Sequence, residues 1–301
     1  MLGKVPPSPV CSGKENPPMK RRTNNLTTVI LIVVLIVGLS LLLYPSVSDY
    51  WNSFHSSKAI SNYADTVANM NEDQYEEMWS AAQAYNQALV GRSTSFALSD
   101  EQKEEYKKLL DVSGTGIMGC IEIPELGVTL PIYHGTEESV LQVAAGHVEW
   151  SSLPVGGAGS HCVISDHRGL PSAKLFTDLD KLQEGDTFML RGLDEVLTYE
   201  VDKISIVEPS QVSDLQIVEG KDLCTLVTCT PYGINTHRLL VRGHRIENAR
   251  EAVHVTADAL QIEPLLIAPV VAAPLLLFLL VLLLLPKRQD PFDGGKKDET
   301  V

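Results

Sequence analysis

Positive charge is scarce through the middle of this 301-residue chain: residues 46–263 carry 15 Lys and Arg against 33 Asp and Glu. That deficit of 18 excludes a nucleic-acid surface, because phosphates need basic groups to neutralise them. No glycine-rich phosphate loop is present, and no internal repeat. Cysteine is sparse too, at five residues. Cys11 precedes the first long apolar run, while Cys120, Cys162, Cys224 and Cys229 lie between the two such runs. Cys224 and Cys229 are five apart in an apparent strand, so they point to opposite faces and do not pair within it. A Cys120–Cys162 bridge stays open. With Cys229 free, at most one bridge forms.

Charge is missing altogether from two stretches, LTTVILIVVLIVGLSLLLY (26–44) and LLIAPVVAAPLLLFLLVLLLL (265–285). Each has the length needed to cross a hydrocarbon core, about 20 residues. Lys20, Arg21 and Arg22 precede the first, and Lys287 and Arg288 follow the second. Basic flanks favour the cytoplasmic side, so both termini are expected inside and the intervening region outside a cell membrane. The sequence after the first run, LLLYPSVSDYW, lacks a good small-x-small cleavage pattern, which favours an uncleaved anchor over a removed signal. The expected organisation is a cytoplasmic tail (1–25), a span (26–44), a helical N-terminal region (45–115), a β domain (116–246), a linker (247–264), a second span (265–285) and a cytoplasmic tail (286–301).

Within the external region, 46–90 reads as helical. Ile60, Tyr63, Ala64, Val67 and Met70 recur at three- and four-residue steps, as do Tyr75, Met78, Trp79, Ala82, Tyr85 and Leu89. These stripes are expected to pack on the main domain. Residues 91–96 read as a loop. Ser99 or Asp100 then starts a short helix, with acidic residues where a helix amino end favours them. From Gly116 the period changes to short β-rich runs: IMGCIEIP, VTLPIYHG, SHCVISD, DTFMLRG, VLTYEVDKISIV, LCTLVTCT and RLLVRGHRI. Many short strands at close spacing predict an antiparallel barrel or sandwich, a mainly β fold. Residues 172–182, SAKLFTDLDKL, read as one short helix.

The chemistry concentrates in LCTLVTCTPYGINTHRLLVRG, 223–243. Pro231, Gly233 and Asn235 favour a turn, so the two β runs form a hairpin in which Cys229 ends one strand and Arg238 starts the next. Strands about 4.8 Å apart let those side chains share one small volume. A guanidinium beside a thiol lowers the thiol pKa and can hold a developing oxyanion. A cysteine nucleophile also needs a proton donor for its leaving group. His55, His134, His147, His161, His167, His237, His244 and His254 are the candidates, and chemistry alone does not choose among them. His167 is notable because DHRGLP follows a β run directly. Cys162 and Cys224 lie inside β runs and read as buried, structural cysteines.

The segments IEIPELGVTLPIYHGT, GHVEWSSLPVGG, HRGLPSAKLFTDL and TLVTCTPYGINTHRLLVRG resemble the catalytic domain of sortases, especially the class C, pilus-assembling enzymes of Gram-positive bacteria. The resemblance spans 119–243. It implies an eight-stranded β-barrel with N-terminal helices and two flanking transmembrane helices. It implies Cys229 as nucleophile, His167 as general acid/base and Arg238 as the substrate-orienting, oxyanion-stabilising residue. The implied reaction cleaves an LPxTG-like signal between Thr and Gly and passes the acyl group to an amine, a pilin lysine in this class. Neither cofactor nor metal is required. The implied partners are pilin subunits with sorting signals and acceptor lysines, and the plasma membrane through two spans. A housekeeping sortase, a thiol hydrolase of the same fold and a non-catalytic pilus accessory protein are the alternatives. Class C enzymes usually carry an Asp-Pro-aromatic lid before the barrel; NQALVGRSTSFALSDEQ has none. Phe96 is a lesser candidate for that place, and Asp290-Pro291-Phe292 falls beyond the second span.

Overall fold

In the computed structural model, the described residues are 25–90 and 98–248, together with Pro274, Leu277 and Phe278. The expectations for the two tails, for the linker beyond residue 248, for Phe96 and most of its loop, and for His254 lie outside them. So do nearly all of those for the second apolar run.

Eight strands close into a barrel: β1 (Ile117–Ile123), β2 (Val128–His134), β3 (Ala145–His147), β4 (Ser160–Ser165), β5 (Thr187–Gly192), β6 (Glu195–Val207), β7 (Asp222–Thr230) and β8 (His237–Ile246). Their order around the barrel is β1-β2-β3-β4-β7-β8-β6-β5, with β5 returning to β1. The β2–β3 and β4–β7 pairings are parallel and the rest antiparallel. Closure leaves no open sheet edge to recruit another chain. Side chains alternate as a strand requires: on β5, Phe188 and Leu190 are fully buried, while Arg191 points outward and pairs with Glu122 at 2.6 Å. Phe176, Phe188, Tyr199, Ile121, Ile132 and Ile164 are fully buried. Each such side chain contributes about 1.5–3 kcal/mol of transfer free energy.

Three helices precede the barrel: α1 (Asn25–Ala68), α2 (Glu72–Leu89) and α3 (Asp100–Tyr106). The apolar repeat over 46–90 suggests continuous helix, but Asn71 interrupts it. Its side chain accepts from the Gln74 amide and Gln74 answers in a capping box, so α2 starts anew there. Ser99 caps α3 in the same way. The stripes face the barrel, with Tyr63 and Ala82 buried and Val67, Met70, Tyr75, Met78, Trp79 and Tyr85 packed against the core. Ala64 is exposed. Tyr63 fastens α1, donating to the Met118 carbonyl at 3.1 Å and accepting from the Leu193 amide at 2.8 Å. Asn86 fastens α2, bonding both the amide (2.7 Å) and the carbonyl (3.1 Å) of Leu153.

The first half of α1 differs. Leu31, Val34, Leu41 and Leu42 lie exposed. Among the described residues, one helix, Val29–Ala68, is long and apolar enough to cross a membrane.

Residues 172–182 do not form the single helix their spacing suggests. Leu175 sits at φ 43°, in the left-handed region, and only Leu179–Lys181 make a short 3-10 turn. The Phe176 amide is drawn back to the His167 carbonyl at 3.2 Å, which fixes this segment to the loop after β4.

Candidate active site

Cys229 and Arg238 are register partners in the β7–β8 hairpin. Directly opposed residues of an antiparallel pair project to the same face, so sulfur and guanidinium leave neighbouring strands together. The connecting loop turns at Pro231, whose carbonyl accepts from both Ile234 (3.1 Å) and Asn235 (3.0 Å). Asn235 takes φ 60°, a conformation asparagine tolerates. Arg238 donates through one guanidinium nitrogen to the carbonyls of Asn235 (3.3 Å) and His237 (3.1 Å). No carboxylate forms an ion pair with it among the described residues. Its remaining donors are therefore not committed to an anion.

On the other side of β7 runs β4. Their parallel register pairs Ser165 with Val227 and continues past the strand end, where the Asp166 amide donates to the Val227 carbonyl at 3.1 Å. The Thr228 hydroxyl returns a bond to the Asp166 carbonyl at 2.8 Å. Carried two residues beyond the Ser165–Val227 pair, the same register points His167 toward the level of Cys229. The nucleophile candidate thus sits on the middle strand of three, with His167 on one flank and Arg238 on the other.

The other histidines have different employment. His134 holds two backbone carbonyls, of Gly116 at 2.9 Å and Leu109 at 2.7 Å. His147 is buried between the Tyr106 hydroxyl (2.8 Å) and the Ser152 carbonyl (2.8 Å). His161 lies between the Gln216 carbonyl and the Thr225 hydroxyl, both at 2.7 Å, and burial pushes its pKa down. His55 lies on α1, bonded to the Trp51 carbonyl. His237 opposes Thr230, one step out of phase with the Cys229–Arg238 pair, and His244 opposes Leu223 at the far end of the hairpin. Among the described histidines, His167 is the one at the end of a strand paired with β7 next to Cys229.

Of the other cysteines, Cys120, Cys162 and Cys224 are free and buried. The open Cys120–Cys162 bridge is not formed. Cys120 pairs with Pro131 and Arg191 on flanking strands, while Cys162 opposes Cys224 across β4–β7. Burial pushes Cys120 up to about 12 and Cys224 well above the usual thiol range. Neither is a nucleophile at neutral pH.

Three neighbours of His167 were not singled out by sequence. Glu138, on the short helix α4 (Glu138–Leu141), places a carboxylate oxygen 3.3 Å from the His167 Nε2. Its other oxygen accepts from Gln142 at 3.1 Å. Asp166 accepts the His167 amide at 2.7 Å through Oδ1, while its buried Oδ2 has no hydrogen-bond partner. Burial lifts this carboxyl well above the usual range, against the pull of that amide. Arg168, 9% exposed, ties the turn down by bonding Thr177, Thr230 and Asp180. The run Asp-His-Arg after an apolar strand was the available signal for the last two. Glu138 comes from a distant segment, and only the fold reveals it.

Gly169, at φ 82°, completes the turn. A Cβ there would lie 2.8 Å from the Tyr232 ring, so the exposed tyrosine of the β7–β8 loop rests on this glycine.

Comparison with known proteins bears on the family and the fold. Residues 121–246 match the family model described as Sortase domain. The chain is similar to the crystal structure of sortase C1 from Streptococcus agalactiae at 49% identity and TM-score 0.63, covering 64% of this chain and 100% of that one. It is similar to Streptococcus pneumoniae sortase C, a structure concerned with pilin substrate specificity, at 46% identity and TM-score 0.58, covering 64% of this chain and 97% of that one. Among curated proteins, sortase A of Streptococcus agalactiae serotype III is 33% identical over 117 residues, 38% of this chain. The match spans 47% of that relative's length.

Proposed function

The chain belongs to the sortase family, and from that membership we propose that it is a cysteine transpeptidase of pilus assembly. The observation that carries the reading is Cys229 on a middle strand, flanked by His167 on β4's exit and Arg238 on β8. The likeness to class C enzymes across their whole length supports pilins as substrates.

In this reading the Cys229 thiolate attacks the Thr carbonyl of an LPxTG-like signal. Arg238, with donors uncommitted to a carboxylate, holds the oxyanion as it forms. The Thr–Gly C–N bond breaks as the His167 imidazolium gives its proton to the departing amine, leaving a thioester. A pilin lysine amine then attacks the thioester and yields a proton to the imidazole. The C–S bond breaks and the thiolate returns. The acyl energy is conserved throughout, so no nucleotide enters.

We also read the protein as membrane-anchored through two spans, 26–44 and 265–285, with the domain 116–246 outside and both termini cytoplasmic. The exposed apolar surface of α1 supports the first span, since so much uncovered apolar surface is rare in water.

Full-length protein in detergent, given an LPxTG-like peptide and an amine acceptor, tests the reaction. Mass spectrometry should find the Thr-acylated acceptor, and Cys229→Ala should give none. Release of free acid alone would identify a thiol hydrolase instead. Product from Cys229→Ala would remove the assignment.

A further inference from the structure

The reaction above needs His167 protonated when the amine departs, and the ring must be aimed. The fold supplies a group for the aiming. α4 lies between β2 and β3 and carries Glu138 to the loop after β4, 29 residues on. One carboxylate oxygen of Glu138 lies 3.3 Å from the His167 Nε2, and the other is held at 3.1 Å by Gln142, which closes the helix four residues on. The carboxylate is therefore oriented from behind and presented to the imidazole from in front. A base aimed by a third group is the general form of an activated nucleophile–histidine pair.

Resting on the transpeptidase reading, we propose that Glu138 is a positioning residue for His167, binding its Nε2–H so that Nδ1 serves the reacting atoms. The neutral ring has one donor and one acceptor nitrogen, so fixing Nε2 as the donor also fixes the tautomer. The bond from Gln142 and the charge of His167 hold the Glu138 carboxyl below its usual range.

The charged groups facing His167 from other elements do not duplicate this role. Asp166 is buried, accepts the His167 amide, and burial pushes its carboxyl well above the usual range. Arg168 is bound to Asp180. Arg238 lies beyond Cys229 on β8. Glu137 caps α4 and turns its carboxylate toward Gly135.

Because Glu138 is 68% exposed, its effect is that of a solvent-screened pair. In protein carrying 15N-labelled histidine, the NMR ring-nitrogen signals of neutral His167 should show Nε2 protonated, and Glu138→Gln should lose that bias toward one tautomer. Glu137→Gln should keep it. Glu138→Gln should also lower kcat by about twofold to fivefold with KM changed less, the size of a solvent-screened contact. A merely structural contact would lower the rate without changing the tautomer. A tautomer unchanged in Glu138→Gln, with an active wild type, overturns the positioning role alone. A wild type without Cys229-dependent cleavage overturns the transpeptidase reading and this role with it.

Discussion

Cys229 and Arg238 oppose each other across the β7–β8 ladder, eight residues of β7 being paired in unbroken register with β8. The sulfur and the guanidinium are thus fixed by backbone hydrogen bonds rather than by a loop conformation. Arg238→Ala should cut kcat by about 10²–10³, the loss typical of one oxyanion donor, with KM changed less. Arg238→Lys should recover only part of it, since an ammonium cannot reproduce the planar fork. Steady-state kinetics on folded variants checks both.

Thiol accessibility should divide the cysteines sharply. Iodoacetamide should alkylate Cys229 in the native protein while Cys120, Cys162 and Cys224 stay unmodified, because burial shields them. Peptide mapping before and after denaturation reads this out. Native labelling of Cys162 or Cys224 would mean that the β4–β7 seam opens.

Asp166 makes a pH prediction of definite sign. Its folded pKa is raised from 3.8 by burial, so the native state holds the proton more tightly than the unfolded chain. Its contribution to stability is complete below pH 3.8 and is lost as pH rises toward the folded value. Asp166→Asn, which cannot ionise, should melt higher at pH 7 by about 3 °C, the size of a 1 kcal/mol gain in a chain of this length. The advantage should shrink as pH falls toward 4. Thermal melts at pH 4, 5.5 and 7 test the trend.

Asn86 is the polar fastener of α2. Asn86→Ala leaves the Leu153 amide and carbonyl without this partner in a buried place. A loss of about 1–3 kcal/mol is expected. Hydrogen exchange should rise first over α2 and around Leu153.

Local patterns carried much of this structure, and their limits have physical causes. Seven of the eight strands announce themselves as β-rich runs. β3 does not, because Ala145-Gly146-His147 is too short to alternate. The 172–182 segment has helical spacing, yet Leu175 adopts a left-handed backbone and Phe176 is drawn into the core, effects of tertiary packing. The Cys229–Arg238 relation was legible because a single hairpin encodes it. His167 stood out among eight histidines by the run DHRGLP directly after a strand and by the family resemblance, not by chemistry alone. Its place beside Cys229 follows from a parallel register between strands about 60 residues apart, as does the engagement of His161. Glu138 left no trace in any local run.

The contact between Gly169 and Tyr232 has a mechanical consequence. The tyrosine's outer face meets solvent while its inner edge bears on the turn that follows His167. Whatever presses on that ring from outside also leans on the histidine's own loop. A methyl at 169 would prise the two loops apart, so neither can be reshaped without disturbing the other.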